Sequence, residues 1–202
     1  KRQPQGQKEG VIEFHPVGDN ISNPDRQFTV TIQSANGAKV GTQNTCLITL
    51  LDEDHFKPEA YAKTVGNWAM TTNRGTYPVE VIGYEEGSEN YLNKVTIKGI
   101  GGQSRCKIEA DFSLDATTML VTLSIPYGQV MATVTFADPF GKQDVLFCGF
   151  DGQYLYPSGT GVAVSNVDVN QFTFEQGFGA FFNSGGWVRW WGDLNPVMNK
   201  IQ

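Results

Sequence analysis

Apolar and polar side chains alternate in short runs along most of the chain. Val11-Ile12-Glu13-Phe14, Phe28-Thr29-Val30-Thr31-Ile32, Val79-Glu80-Val81-Ile82, Val95-Thr96-Ile97-Lys98-Gly99 and Met119-Leu120-Val121-Thr122-Leu123-Ser124-Ile125 are rich in β-branched residues. Successive side chains of a strand point to opposite faces, so each run reads as a half-buried strand. Apolar residues spaced three and four apart, the mark of an amphipathic helix, are scarce. The 23 glycines and the Asn, Asp and Ser clusters between the runs supply turns. The expected class is all-β.

At 202 residues the chain has room for one β domain and part of another. A boundary is expected at Asp54, where Asp52-Glu53-Asp54-His55-Phe56-Lys57-Pro58-Glu59 interrupts the strand pattern with charge and a proline. The expected domains are therefore 1–54 and 55–202. The first holds only about three strands, too little surface for a stable sheet by itself. It is expected to pack on the second domain, on a protein partner or on an upstream segment that completes its sheet. The chain opens at Lys1-Arg2-Gln3 without Met or an apolar leader, so the expectation is a removed signal segment or a piece of a longer protein.

Lys and Arg total 15 against 21 Asp and Glu, a net charge of −6. No basic stripe is present to neutralise phosphates, which argues against nucleic acid as a partner. No apolar run approaches the roughly 20 residues a helix needs to cross a bilayer. Cys46, Cys106 and Cys148 are far apart, form no C-x-x-C pair and sit in strand-like surroundings; buried thiols acting as small hydrophobes are expected.

In the first segment, Val11-Ile-Glu-Phe-His-Pro16, Asp19-Asn20, Asn23-Pro-Asp-Arg-Gln-Phe-Thr-Val-Thr-Ile32, Ala38-Lys-Val-Gly41 and Cys46-Leu-Ile-Thr-Leu-Leu-Asp-Glu-Asp54 together resemble the closing half of a Calx-β domain, an immunoglobulin-like sandwich. The resemblance covers about a quarter of the chain. In calcium-binding members of that family an acidic turn and a terminal acidic triplet meet at one end of the sandwich, positions that Asp19, Asp52, Glu53 and Asp54 match here. Ca²⁺ needs six to eight oxygens, yet Arg26 and Gln27 stand where the family has glutamates. A solvated acidic linker is the favoured reading, and no metal site is assigned.

In the second segment, Gly66-Asn67-Trp68 is similar to the G-x-W motif on the first strand of lipocalin-like barrels. The resemblance implies that Trp68 plugs one barrel end and that a late-strand Arg, here Arg189, packs across its ring. Tyr77-Pro-Val-Glu-Val-Ile82, Tyr91-Leu-Asn-Lys-Val-Thr-Ile-Lys-Gly-Ile100, Ile108-Glu-Ala-Asp-Phe-Ser-Leu-Asp115 and Leu123-Ser-Ile-Pro-Tyr-Gly-Gln129 resemble the lipocalin-like domains that follow sandwich domains in surface lipoproteins of Gram-negative gut bacteria. That implies an antiparallel β-barrel and an extracellular, cell-surface location. A lipid tether would be supplied by sequence outside this chain.

Catalytic signals are weak. His15 and His55 have no metal-type ligand at a recognisable spacing. Glu80, Glu85, Glu86, Glu89, Glu109, Asp111 and Asp115 cluster around turns or on a strand face opposite Ile108, Ala110 and Phe112, the pattern of solvated carboxylates rather than of an acid–base pair. Gly99-Ile-Gly-Gly102 and Gly149-Phe-Asp-Gly152 lack the helix and Lys of a phosphate cradle and read as hairpins. No cofactor is called for and no enzyme activity is expected.

The aromatic residues carry the functional expectation. Trp187-Val188-Arg189-Trp190-Trp191, read with a period of two, puts Trp187, Arg189 and Trp191 on one face and Val188 and Trp190 on the other. Both faces carry an indole, and Tyr154 and Tyr156 lie in a loop beside Asp151 and Gln153. A pyranose has one apolar face and a polar rim, so flat aromatics beside amides and carboxylates suit a sugar. Trp187, Trp191, Tyr154 and Tyr156 are the expected contacts for a glycan or a small amphipathic ligand. The alternative is a structural or adhesive module in which the first segment makes protein–protein contact.

Overall fold

A computed structural model describes residues 11–15, 25–50 and 56–201. The chain divides into two compact units, Lys1–Asp54 and His55–Gln202.

In the first unit, β1 (Arg26–Thr31) and β2 (Thr45–Leu50) form an antiparallel hairpin with Phe28 opposite Ile48 and Val30 opposite Cys46. Alternation gathers Phe28, Val30, Cys46, Ile48 and Leu50 on one face and a threonine-rich set on the other. The ring of Phe14 meets Phe28 edge-on at 5.0 Å. Residues 11–15, of which 11–14 were expected as a strand, are exposed and make no ladder among the described residues. Cys46 is exposed, contrary to expectation, because a single pair of strands leaves both its faces near solvent. Asp19, Asp52, Glu53 and Asp54 lie outside the described residues, so the calcium question does too.

The second unit is all-β apart from one helix and one 3-10 turn, and its centre is a closed eight-stranded antiparallel barrel. Five strands follow as a meander: β3 (Gly66–Thr72), β4 (Gly75–Gly83), β5 (Lys94–Lys98), β6 (Lys107–Asp115) and β7 (Leu120–Pro126). The circle is completed by β11 (Thr160–Asn166), β12 (Gln171–Phe174) and β15 (Val197–Lys200), with β11 pairing β7 and β15 pairing β3. Closure leaves no free barrel edge. Trp68, Met70, Ile97, Ile108, Leu123, Phe172 and Met198 alternate inward and are almost completely buried.

Helix α1 (Phe56–Thr64) was not foreseen in the strand-rich sequence. Pro58 falls in its first turn, where a missing N–H costs nothing, and Ala60 and Ala62 favour continuation. Its buried residues are Ala60, Tyr61 and Thr64, and they close the barrel end from which β3 rises. The Tyr61 ring meets Phe112 at 5.1 Å while its hydroxyl donates to the Lys94 carbonyl at 2.7 Å.

Trp68 is wholly buried and donates from its indole nitrogen to the Thr64 carbonyl at 2.9 Å. The cation above it is Lys200, whose Nζ stands 4.7 Å from the ring centroid and donates to the carbonyls of Lys63 and Val65 at 2.7 and 2.6 Å. Arg189, the residue expected there, lies instead over Phe150 at 5.0 Å. The reason is topological: Arg189 is not on a barrel strand, whereas Lys200 ends β15, next to β3.

Two excursions leave and rejoin the barrel at its other end. Between β7 and β11 the chain makes β8 (Val130–Thr135), β9 (Lys142–Phe150) and β10 (Leu155–Tyr156); between β12 and β15 it makes β13 (Phe178–Asn183) and β14 (Trp187–Asp193). These five strands form a second sheet in which β9 pairs β8 and β10 along one side and β13 along the other, with β14 beyond β13. Its inner face carries Val145, Phe147, Phe178, Ala180 and Trp191, all joined to the barrel core in one apolar cluster. The barrel is thus covered at one end by α1 and at the other by this sheet.

The candidate ligand-binding face

A β-bulge decides which tryptophans are available. Ala180 pairs with Trp191 but Phe181 pairs with Arg189, so Trp190 is an extra residue on β14. An extra residue reverses the alternation beyond it. Trp187 and Arg189 therefore point outward, while Trp191 and Asp193 point inward. The uninterrupted period-two reading fails at this residue.

Trp191 is only 6 % exposed and offers no surface to a ligand, contrary to its expected role. It packs on the 3-10 turn Ile100–Gly102, where a Cβ on Gly101 would come within 2.3 Å of the indole ring, and Gly101 has φ +69°. Only glycine fits both the contact and the backbone. The Arg74 guanidinium lies 5.4 Å from the ring centroid. The indole nitrogen is buried without a hydrogen-bond partner among the described residues, so packing holds the ring.

Next to Trp191, Asp193 is fully buried. Its carboxylate accepts from Arg74 Nε at 2.6 Å, Tyr77 Oη at 2.7 Å and Thr72 Oγ1 at 3.0 Å. Arg74 also donates to the Gly101 carbonyl at 2.9 Å. Burial, reinforced by the adjacent carboxylate, pushes the Tyr77 phenol well above its usual range, so it remains a donor. The β3–β4 turn is tied to the same place, since Asn73 Oδ1 accepts from Leu194 N at 2.7 Å. This is a latch between barrel and sheet, with every group committed to a protein partner.

Trp187 is 56 % exposed and packs one side against Phe181, 5.6 Å between centroids. Beside it, an open depression of about 540 Å³ is lined by Thr133, Lys142, Gln143, Asp144, Leu146 and Asn183. Register explains the grouping. Thr133 pairs Asp144 and Asn183 pairs Trp187, while continuation of the Phe181–Leu146 pairing brings Asn183 beside Asp144. One row across the outer face is thus polar and ends in an indole. The adjacent row runs Val130, Leu146, Phe181 and Arg189: Val130 is 55 % exposed, Phe181 is buried, and the row ends in the exposed Arg189 guanidinium.

Within the polar row, Thr133 Oγ1 donates to Asp144 Oδ1 at 2.6 Å. The second Asp144 oxygen, the Asn183 side-chain amide and the Lys142 ammonium have no hydrogen-bond or ion-pair partner among the described residues. Asp144, Asn183, Thr133 and Lys142 escaped the sequence reading. Alternation could have placed Asp144 beside Leu146 on one face, but only the non-local pairing of β9 with β13 sets Asn183 next to it.

Tyr154 and Tyr156 are exposed, at 59 and 44 %, and belong to a separate place. Asp151 organises their loop by accepting from the backbone N–H of Gln153 and Tyr154 and, at 2.5 Å, from Tyr156 Oη. Those bonds hold the Asp151 carboxyl below its usual range and the Tyr156 phenol above its own. Tyr156 pairs with Gly149, five residues along β9 from Asp144, a distance of about 17 Å at strand rise. The four expected contacts therefore form no single site: Trp187 pairs with Asn183, which lines the depression, the tyrosines lie at the far end of the sheet, and Trp191 is inside.

Comparison of the chain with protein-family models, with curated proteins and with solved structures gives no match. None of the described helices is long and apolar enough to cross a membrane. Among the described residues no group of three or more His, Cys, Asp or Glu is placed to hold a metal ion.

Proposed function

We propose that the protein is a non-enzymatic binding module for a glycan or another small amphipathic ligand, held on the outer face of the second sheet. The observation that carries this reading is the exposed Trp187 at the end of the polar row Thr133, Asp144 and Asn183, alongside the exposed Val130 and half-buried Leu146. A flat apolar surface next to unsatisfied hydrogen-bonding groups matches the two characters of a sugar ring. The barrel interior is a poorer candidate, because its inward side chains are buried and both ends are covered. The buried carboxylate Asp193 is committed to Arg74, Tyr77 and Thr72, the contacts of a structural latch. The resemblances to a Calx-β segment and a lipocalin-like barrel support a place at a cell surface, reached through a tether outside this chain.

The test is titration of the full chain with a glycan panel while tryptophan fluorescence is recorded. A saturable shift that Trp187→Ala removes, with Tm unchanged, supports the proposal. Saturable binding that Trp187→Ala leaves intact moves the site elsewhere and overturns this placement.

A second reading rests on the first unit. Leu47 and Ile32 are 61 and 56 % exposed on the hairpin, which favours a protein partner that extends or covers its two strands. Concentration-dependent self-association of the full chain, abolished by Leu47→Asp, would support an assembly or adhesive role; a monomer at all concentrations argues against association with a second copy.

A further inference from the structure

We infer that, granted the binding reading above, the outer face of the second sheet selects acidic glycans, with Arg189 taking the carboxylate of a uronate residue in an oligosaccharide that stacks on Trp187. Trp187 and Arg189 lie two residues apart on one face of β14, about 7 Å at strand rise. The Trp187 ring packs on Phe181, 5.6 Å between centroids, and Phe181 is the residue paired with Arg189. The indole therefore leans toward the arginine's row. Arg189 is exposed, and its guanidinium lies over the Phe150 ring at 5.0 Å. Phe150 has its place there because Gly192 leaves room, since a Cβ at that position would meet the ring at 2.5 Å. A guanidinium over an aromatic ring keeps its N–H groups in its own plane, directed past the ring. Those donors have no hydrogen-bond or ion-pair partner among the described residues. An arginine held by its flat side with the fork free is set for the planar, bidentate contact that a carboxylate makes.

The charges of this face are sorted along it. Lys142 stands two residues from Asp144 on the same side of β9 and offsets it without a direct ion pair. Arg189 lies two strands and one row away from Asp144, about 12 Å from strand spacing and rise. That exceeds the screening length of about 8 Å at physiological salt. Asp144 thus leaves Arg189 uncompensated and barely repels a carboxylate bound there. Asp151, next to Phe150 in the chain, spends its carboxylate on Tyr156 and two backbone N–H groups and makes no ion pair with Arg189. The net charge of −6 opposes an anion at long range, so selection arises at contact, through one charge-assisted pair.

The experiment uses the full chain, with chelator present throughout, and four probes: gluco-, manno- and galacto-configured oligouronates, their methyl esters, neutral oligosaccharides of equal length, and sulfated neutral oligosaccharides. Calorimetry and tryptophan fluorescence report binding. The expected result is that an oligouronate binds about tenfold more tightly than its own methyl ester, the size of one charge-assisted bidentate contact. Arg189→Gln removes that ratio and leaves the affinity for the methyl ester unchanged. Arg189→Lys keeps a cation above Phe150 but loses the fork, and retains a ratio of only about threefold. Asp144→Asn, acting across the screening length, moves the ratio by about twofold at most.

A methyl ester or neutral sugar that binds as tightly as the uronate, or a ratio that survives Arg189→Gln, overturns the inference while leaving glycan binding in place. A ratio lost in Lys142→Gln instead moves the anion to the depression and overturns the role of Arg189. Sulfated sugars that match the uronate overturn the choice of carboxylate and leave a general anion site. Silence toward every probe overturns this inference and the binding reading together.

Discussion

The two faces of the second sheet contain similar residues and serve opposite ends. Inward, Phe147, Phe178, Ala180 and Trp191 continue the barrel core, and Asp193 fastens the sheet to the β3–β4 turn. Outward, Cys148, Phe150 and Phe181 are also buried, but the row beyond them opens into Asp144, Asn183 and Trp187. Phe150 shows how the outer face is partly shut: its ring lies where a Cβ on Gly192 would meet it at 2.5 Å, and Arg189 covers it at 5.0 Å. Burial on the inner face is imposed by the barrel, whereas burial on the outer face is local and stops at the polar row. Trp187 stands past the limit of that local cover, with one side on Phe181 and more than half of its surface left exposed.

The largest effects should follow from breaking the inner face. Asp193→Ala removes the acceptor for Arg74, Tyr77 and Thr72, leaving a guanidinium held near Trp191 without its counter-charge. Loss of one partner of a wholly buried pair costs about 3–5 kcal/mol; Asp193 is wholly buried but Arg74 is 37 % exposed, so chemical denaturation should read a loss toward the lower end of that range. Trp191→Ala empties the space between Gly101 and Phe178 and should cost a similar amount, about 3–5 kcal/mol. If either variant melts like the parent, the inner face is not the anchor of the sheet.

How far these contrasts were legible in the sequence depends on how local their causes are. The barrel strands were readable because each run carries its own alternation: Ile108, Ala110 and Phe112 face inward and Glu109 and Asp111 outward with no information from elsewhere. The second sheet was readable as strands but not as a sheet, since β9 and β13 are joined only by non-local pairing. Trp191 was misplaced because the bulge at Trp190 has no signature in Trp-Val-Arg-Trp-Trp; it is visible only in the register against β13. The cation over Trp68 was misassigned for the same reason, as Lys200 reaches it through barrel closure. Helix α1 is short, and its Lys57-Pro58-Glu59 opening resembles a linker until its buried residues Ala60, Tyr61 and Thr64 are seen against the barrel end.

A middle-sized effect separates the covered half of the outer face from the open half. Burial pushes the Cys148 thiol from 9.0 up to about 12, and the barrel thiol Cys106 up to about 11. A thiol whose folded value is raised contributes stability fully below its unfolded value and loses it as pH climbs toward the folded one, because the unfolded chain releases the proton first. Stability should therefore decline from about pH 9, by roughly 1–3 kcal/mol per thiol near pH 11, and Tyr77 and Tyr127, both raised by burial from 10.0, add to the slope once pH passes that unfolded value. Cys148→Ala should flatten its share. An unchanged slope would mean that Phe150 and its neighbours do not shield the thiol, and the outer face would then be open along its whole length.

The smallest effect on stability is the most informative about function. Trp187 ends β14, is 56 % exposed and touches Phe181 on one side only. Truncating a surface side chain away from caps and networks changes stability by about half a kcal/mol or less. Trp187→Ala should therefore leave the denaturation midpoint almost unmoved while removing the fluorescence response to a bound glycan. Trp191→Ala should do the reverse in kind, lowering the midpoint before any ligand is added. A Trp187→Ala variant as unstable as Trp191→Ala would place both indoles in the core, erase the distinction between the two faces, and leave the depression beside Asp144 without its apolar platform.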